Sequence, residues 1–212
     1  MSEQPVPEEQ TALKRCRWCN MKNPRYVRYH DEEWGQLRTD DAYLAEMLLL
    51  ESFQAGLSWE CILNKREAFR RALDGFDPEK ISRYDEEKLE ELLTDPGIVR
   101  NRLKLRAAVG NCRCFLDITA ECGSFYAYLC RFTGGRRRAE TGRTVNEWSD
   151  AISKDLYRRG MRFVGSTIIY AYLQAVGIID SHETDCGWYG GKRPPKKTAE
   201  RLIFPVVNPE RI

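Results

Sequence analysis

The chain has 212 residues, 42% apolar and 31% charged, with a formal net charge of +2. This ordinary globular balance excludes a wholly disordered chain, and without a run of ~18 apolar residues no membrane span is expected. The length suits one domain with a sizeable core.

The opening MSEQPVPEEQ is polar and acidic, unlike a secretory signal, so a reducing cytoplasm is expected for the eight cysteines. Residues 1–14 read as a disordered tail. Helices are predicted from Asp40 onward. Asp40 and Asp41 cap a first helix reaching Gln54, and Gly56 interrupts it. Ser58 caps a second helix through Trp59, Ile62 and Phe69. Asp77-Pro78 starts a third, and Tyr84-Asp85-Glu86 a fourth with Leu89, Leu92 and Leu93 as its apolar stripe. After a tight Asp95-Pro96-Gly97 turn, residues 100–118 form a helix with Leu103, Ala107 and Val109 inside. Gly123-Ser124 opens another, carrying Phe125, Tyr128 and Leu129. TGGRRRAETGR at 133–143 reads as a flexible basic loop. A helix from Asn146 to Arg159 ends at Gly160, and an apolar helix runs from Gly165 to Val176, stopped by Gly177. No strand-period segment and no internal repeat appear, so the class is all-α. The expected organisation is one compact unit of two helical lobes over 15–190, followed by an extension over 191–212.

Charge is unevenly spread. Residues 1–95 hold 14 bases and 21 acids, and residues 96–212 hold 20 and 11. A basic half beside an acidic one fits a polyanion-facing side or a plain solvated face.

His182 and Cys186 stand four apart, a spacing that can aim both at one point. Cys16, Cys19 and His30 supply further ligand types near the other end of the chain. A set of Cys16, His30, His182 and Cys186 uses both histidines, and Cys19 could replace His30. Four such ligands suit a structural zinc, since no coordination position stays open. That zinc would close a very long loop.

A second constellation is aromatic and acidic. Trp18, Tyr26, Tyr29 and Trp34 lie close in sequence. Glu51 shares a helix face with Leu44, Met47, Leu48 and Ala55, and Trp59 follows the Gly-Leu-Ser turn. A carboxylate on an apolar face must be paired, protonated or functional. Ringed by Tyr and Trp, it suits a flat, cationic, hydrogen-bonding ligand.

Two turns look suited to DNA. In LLTDPGIVRNRLKLRAA, Gly97 permits a positive φ, and the amides near Ile98 start a helix, as in a helix-hairpin-helix phosphate grip. Arg100, Arg102, Lys104 and Arg106 add charge beside it. At the second turn, Leu57 beside Gly56 can wedge into a base stack.

Six motifs, RCxW, YHDEEWG, ESFQAGLSW, DPGIVRNRLK, FVGSTIIY and HETDC, stand in the order found in the 3-methyladenine DNA glycosylase I family, and the chain resembles that family over roughly residues 15–190. The resemblance implies an all-α fold of the helix-hairpin-helix glycosylase superfamily and removal of N3-methylated adenine from alkylated double-stranded DNA. It implies a structural zinc on Cys16, His30, His182 and Cys186. It implies a base pocket of Glu51, Tyr29 and Trp59 with Tyr26, Trp34 and Trp18 around it, and Gly56 and Leu57 filling the gap in the DNA. The implied enzyme flips the damaged base out and hydrolyses the glycosyl bond without strand cleavage. The family resembles the exception among such glycosylases in lacking a catalytic Asp, so Asp117, the first acid after Lys104, takes no role. A bacterial, cytoplasmic, nucleoid-associated monomer with no protein partner is expected. The rival readings are a zinc-stapled DNA-binding protein without catalysis and a zinc hydrolase.

Overall fold

The computed structural model describes residues 13–192. Helix starts follow local capping chemistry, in which a side-chain oxygen accepts an otherwise unpaired first-turn amide, an interaction worth about 1 kcal/mol. Asn23 caps α1 (Pro24–Glu32), Asp40 caps α2 (Asp41–Gln54) and Ser58 caps α3 (Trp59–Ala72). Asp77 caps the single turn of α4 (Pro78–Ile81), Asp85 caps α5 (Glu86–Thr94) and Asn101 caps α6 (Arg102–Cys122). Ser124 caps α7 (Phe125–Thr133), and Asn146 starts α8 (Glu147–Arg159) with a reciprocal capping box to Ser149. Only α9 (Ser166–Ala175) begins without a side-chain cap among these helices.

The architecture is mostly helical, as the sequence predicts, with three differences. α1 lies before Asp40, where no helix is predicted. In α6 the buried stripe is Leu105, Ala108, Val109, Cys112, Phe115 and Ile118, and Leu103 is 67% exposed instead of inside. The supposedly irregular basic loop contains β1 (Arg138–Ala139), which pairs in parallel with β2 (Ile179–Asp180), Arg138 opposite Ile179. A two-residue bridge leaves no period for a pattern to reveal. Residues 1–12 of the expected tail and 193–212 of the expected extension lie outside the described residues.

α2 is buried on nearly every side from Leu44 to Phe53, as a central helix must be when it is apolar all round. It packs against α3, α6, α7 and α9. One continuous apolar cluster runs from Cys16 to Trp188. The two ends of the described chain meet. Gly187 N donates to Lys14 O at 2.8 Å, Arg17 N to Glu183 Oε2 at 3.0 Å, and Trp188 Nε1 to Asp31 O at 3.1 Å. No helix among the described residues is long and apolar enough to cross a membrane.

Candidate functional site

A cleft of about 310 Å³ opens beside the middle of α2. All six predicted pocket residues line it: Glu51 from α2, Tyr26 and Tyr29 from α1, Trp18 and Trp34 from its flanks, and Trp59 from the start of α3. Tyr29 and Trp59 lie 5.2 Å apart between ring centroids, Trp18 and Tyr26 5.4 Å. The opposite wall comes from Gln174 of α9, Ser181, Glu183 and the Thr141–Arg143 loop. Gln54 also faces the cleft, and its place three residues after Glu51 on one helix was a usable signal. The opposite wall had none, because it arrives from chain far away.

Glu51 is 2% exposed, and its Oε2 has no hydrogen-bond partner among the described residues. Burial alone pushes its carboxyl up to about 8. Trp59 Nε1 is a second buried polar atom on the same cleft without a partner among the described residues. Each such group costs about 1–3 kcal/mol unless something completes it. The cleft therefore offers an acceptor and a donor between aromatic faces, and a flat ligand with polar edges satisfies both.

Next to the cleft lies a cluster of side chains that could hold a metal ion. The ligand atoms of Cys16, His30 and Cys186 all fall within 4.8 Å of one another, and all three residues are buried. His30 Nδ1 is 2.8 Å from Asp31 Oδ1, and Arg15 grips that carboxylate through Nε and Nη2 at 2.8 and 2.6 Å. This holds His30 Nε2 toward the cysteines, 3.5 Å from Cys186 Sγ. His182 is fixed similarly: its Nδ1 lies 2.7 Å from Asp180 Oδ1, and its fully buried ring leaves Nε2 without a partner among the described residues. The two imidazoles stand 5.1 Å apart and nearly perpendicular. An imidazole fixed through one nitrogen by a carboxylate, with the other nitrogen aimed at thiols as in His30, is a usual support of a metal site. His182, predicted as a fourth ligand, lies outside the group whose ligand atoms fall within 4.8 Å of one another. The contact between the thiols favours the anion of Cys186: hydrogen bonding from Cys16 pulls the Cys186 thiol down, and the same contact pushes Cys16 up. Cys19 is outside the cluster, its Sγ directed at Tyr26 O at 3.9 Å. Between Cys16 and Cys19, the geometry favours Cys16.

The predicted DNA-facing residues divide. Gly56 has φ +77°, a left-handed conformation that favours glycine, and Leu57 beside it is 41% exposed. The turn they form lies at the edge of the cleft, between Gln54 and Trp59. Gly97 is not left-handed. It is required by close approach: a Cβ there would sit 2.9 Å from Asp95 Oδ1 and 3.0 Å from Ala68 Cβ. Ile98 is buried in the core, fastening the turn instead of facing solvent. Lys104 is only 8% exposed, and its Nζ donates to Phe53 O at 2.8 Å and Ala55 O at 2.5 Å. Its charge thus closes the carbonyl end of α2 beneath the Leu57 turn, where the helix dipole favours a cation. Arg100 is exposed, while Arg102 is ion-paired with Glu90. Arg106 pairs with Glu86, and Arg131 with Glu121. Much of the basic run is thus neutralised by acids from α5 and α6, so the uneven charge of the sequence partly folds onto itself.

Comparison with known proteins agrees with this geometry. Residues 18–189 match the methyladenine glycosylase family. The chain is 39% identical to DNA-3-methyladenine glycosylase 1 of Escherichia coli K12 over 188 residues, covering 86% of this chain and all of that protein. It is 36% identical to DNA-3-methyladenine glycosylase of Haemophilus influenzae, covering 81% and 96%. Among solved structures, 3-methyladenine DNA glycosylase I from Staphylococcus aureus, described for its recognition of 3-methyladenine, superposes with a TM-score of 0.79 at 35% identity, covering 87% and 98%. A crystal structure of a 3-methyladenine DNA glycosylase I gives 0.78 at 40% identity, covering 82% and 98%. The chain belongs to the methyladenine glycosylase family.

Proposed function

We propose that this protein is a DNA repair glycosylase that excises 3-methyladenine from alkylated double-stranded DNA by hydrolysis. The observation that carries the reading is the buried, unpartnered carboxyl of Glu51 at the base of an aromatic cleft. Burial favours the neutral form of that group. A base that brings positive charge and N–H donors makes the ionised carboxylate favourable again, and an uncharged normal base does so less.

The damaged nucleotide is everted into the cleft. Trp59 and Tyr29 receive the base, Glu51 accepts its N–H groups, and Tyr26, Trp18 and Trp34 complete the enclosure. Leu57 on its Gly56 turn fills the vacated stack. The turn at Gly97, held from below by Ile98, grips the backbone as a helix-hairpin-helix, with Arg100 and Arg102 beside it. Lys104 supports the Leu57 turn. Water adds to the anomeric carbon of the sugar and gives up a proton to solvent. The glycosyl bond breaks with its electron pair leaving on the base, which departs neutral because it was cationic. No enzyme nucleophile attacks the sugar, so the strand is not cut. Glu51 acts on the reacting base and is the catalytic residue in this scheme.

Cys16, His30, His182 and Cys186 would hold a structural zinc. The fit rests on the three clustered ligands and on the orphaned, buried Nε2 of His182, which only a further partner completes. Zinc there would tie the chain ends together and supply no step of the reaction, since four protein ligands leave no open position.

Release of free base from methylated duplex tests the reading. The expected result is 3-methyladenine released from an uncut strand by the wild type and sharply reduced release by Glu51→Gln. Binding of methylated duplex without base release would support a DNA-binding protein instead.

A further inference from the structure

The Thr141–Arg143 loop is not part of the pocket predicted from sequence, yet it forms part of the cleft wall. Both its ends are pinned. Glu140 N donates to Asp180 O at 2.9 Å, extending the β1–β2 bridge. The Glu140 carboxylate accepts from Tyr170 Oη at 2.9 Å, from Asn146 Nδ2 at 3.2 Å and from Arg138 Nη1 at 3.4 Å. Asn146 is itself locked as the cap of α8. Between these fixed points Thr141, Gly142 and Arg143 are exposed.

Arg143 is the one cation among the residues lining the cleft. Its charge acts on Glu147 and Tyr170, but no hydrogen bond or ion pair within 4 Å holds it among the described residues. Its neighbours in the basic run behave differently: Arg137 donates to Gly177 O and Gly35 O, and Arg138 pairs with Glu147. Arg143 does not serve Glu51 either, whose carboxyl responds to burial alone. Nor does a guanidinium suit a cationic base, which it repels. What reaches a cleft mouth along with an everted nucleotide is phosphate. An arginine takes phosphate through two parallel N–H donors.

We propose that Arg143 is a positioning residue that clamps a phosphodiester flanking the everted nucleotide, so that the Thr141–Arg143 loop holds the nucleotide in the cleft. The inference rests on the glycosylase reading above.

The test compares wild type, Arg143→Gln and Arg143→Lys. In steady-state base release from methylated duplex, Arg143→Gln raises KM about tenfold with kcat little changed, as expected for a contact made equally before and during reaction. Its log–log dependence of duplex binding on salt becomes shallower by about 1, the signature of one lost phosphate contact. Arg143→Lys keeps the wild-type salt slope and recovers most of the KM. Binding of free 3-methyladenine, read by tryptophan fluorescence, is the same in all three proteins. An unchanged KM and salt slope in Arg143→Gln overturns the proposal while leaving the glycosylase reading intact. Weakened free-base binding in that variant also overturns it, since the residue would then belong to the base pocket. No base release by the wild type would overturn the glycosylase reading and this proposal with it.

Discussion

The indole of Trp34 meets the imidazole of His182 edge-on, with 4.6 Å between ring centroids. Trp34 also lies nearly parallel to His30 at 6.3 Å, and Trp18 is 5.2 Å from the same ring. Both tryptophans line the cleft. The aromatic wall of the cleft is therefore packed on the imidazoles of His30 and His182.

If these residues hold the proposed zinc, removing it should damage both stability and activity. The purified protein is expected to carry one zinc per chain by atomic absorption. Chelation, or His182→Ala, should lower the melting temperature by roughly 10 °C, at about 2–4 °C per kcal/mol for a chain this size. Base release should fall in parallel as Trp18 and Trp34 lose their backing. A melting curve indifferent to chelator, from protein shown to contain zinc beforehand, would contradict the structural role.

Glu51 ties stability to pH in a definite direction. Its folded value of about 8 lies above the ordinary 4.5, so the folded protein binds this proton more tightly than the unfolded chain. The stability tied to the neutral form is complete below 4.5 and is lost as pH rises through 8. That rise corresponds to no more than about 5 kcal/mol. Glu51→Gln carries no such proton. Its melting temperature should exceed that of the wild type at pH 9, and the advantage should shrink toward pH 5. Base release by the variant should drop by about 100-fold or more. Parallel melting curves across that range would remove Glu51 as an uncompensated buried acid.

Leu57 is 41% exposed and contributes little to the core, which leaves it for the DNA in the proposed scheme. Leu57→Ala should change stability by less than about 0.5 kcal/mol, the usual range for an exposed site. Base release from duplex should fall at least about tenfold, while affinity for free 3-methyladenine stays the same. A combined loss of both would mean that the turn shapes the pocket itself.

Lys104 and Arg100 should behave oppositely although both are basic residues of one segment. Lys104→Met leaves the Phe53 and Ala55 carbonyls without their buried donor, at a cost of about 1–3 kcal/mol in denaturant unfolding. Its duplex binding should keep the wild-type salt slope. Arg100→Gln should leave unfolding unchanged and reduce that slope by about 1.

Much of this was legible in the sequence, for local reasons. Asp40, Ser58, Asp85, Ser124 and Asn146 each begin the helix predicted there, because a cap is one hydrogen bond spanning two or three residues. Glu51 was identifiable as a buried acid because a 3.6-residue period places it among Leu44, Met47 and Leu48. The histidines and cysteines were identifiable because few side chains ligate metals. α1 escaped notice: its sequence is mostly polar and charged, and its buried Tyr29, His30 and Asp31 face the two sites instead of an apolar stripe.

Residue type and local period thus determined the longer helices after Asp40, the aromatic pocket set and the candidate ligands. The tertiary structure alone decided that Cys16 and not Cys19 meets His30 and Cys186, that Lys104 turns inward to close α2, and that acids of α5 and α6 neutralise much of the basic run. It also brought Thr141, Gly142 and Arg143 to the cleft. Each of these outcomes depends on partners far apart in the chain. Their distances are set by how the helices pack, and no local pattern of residues records them.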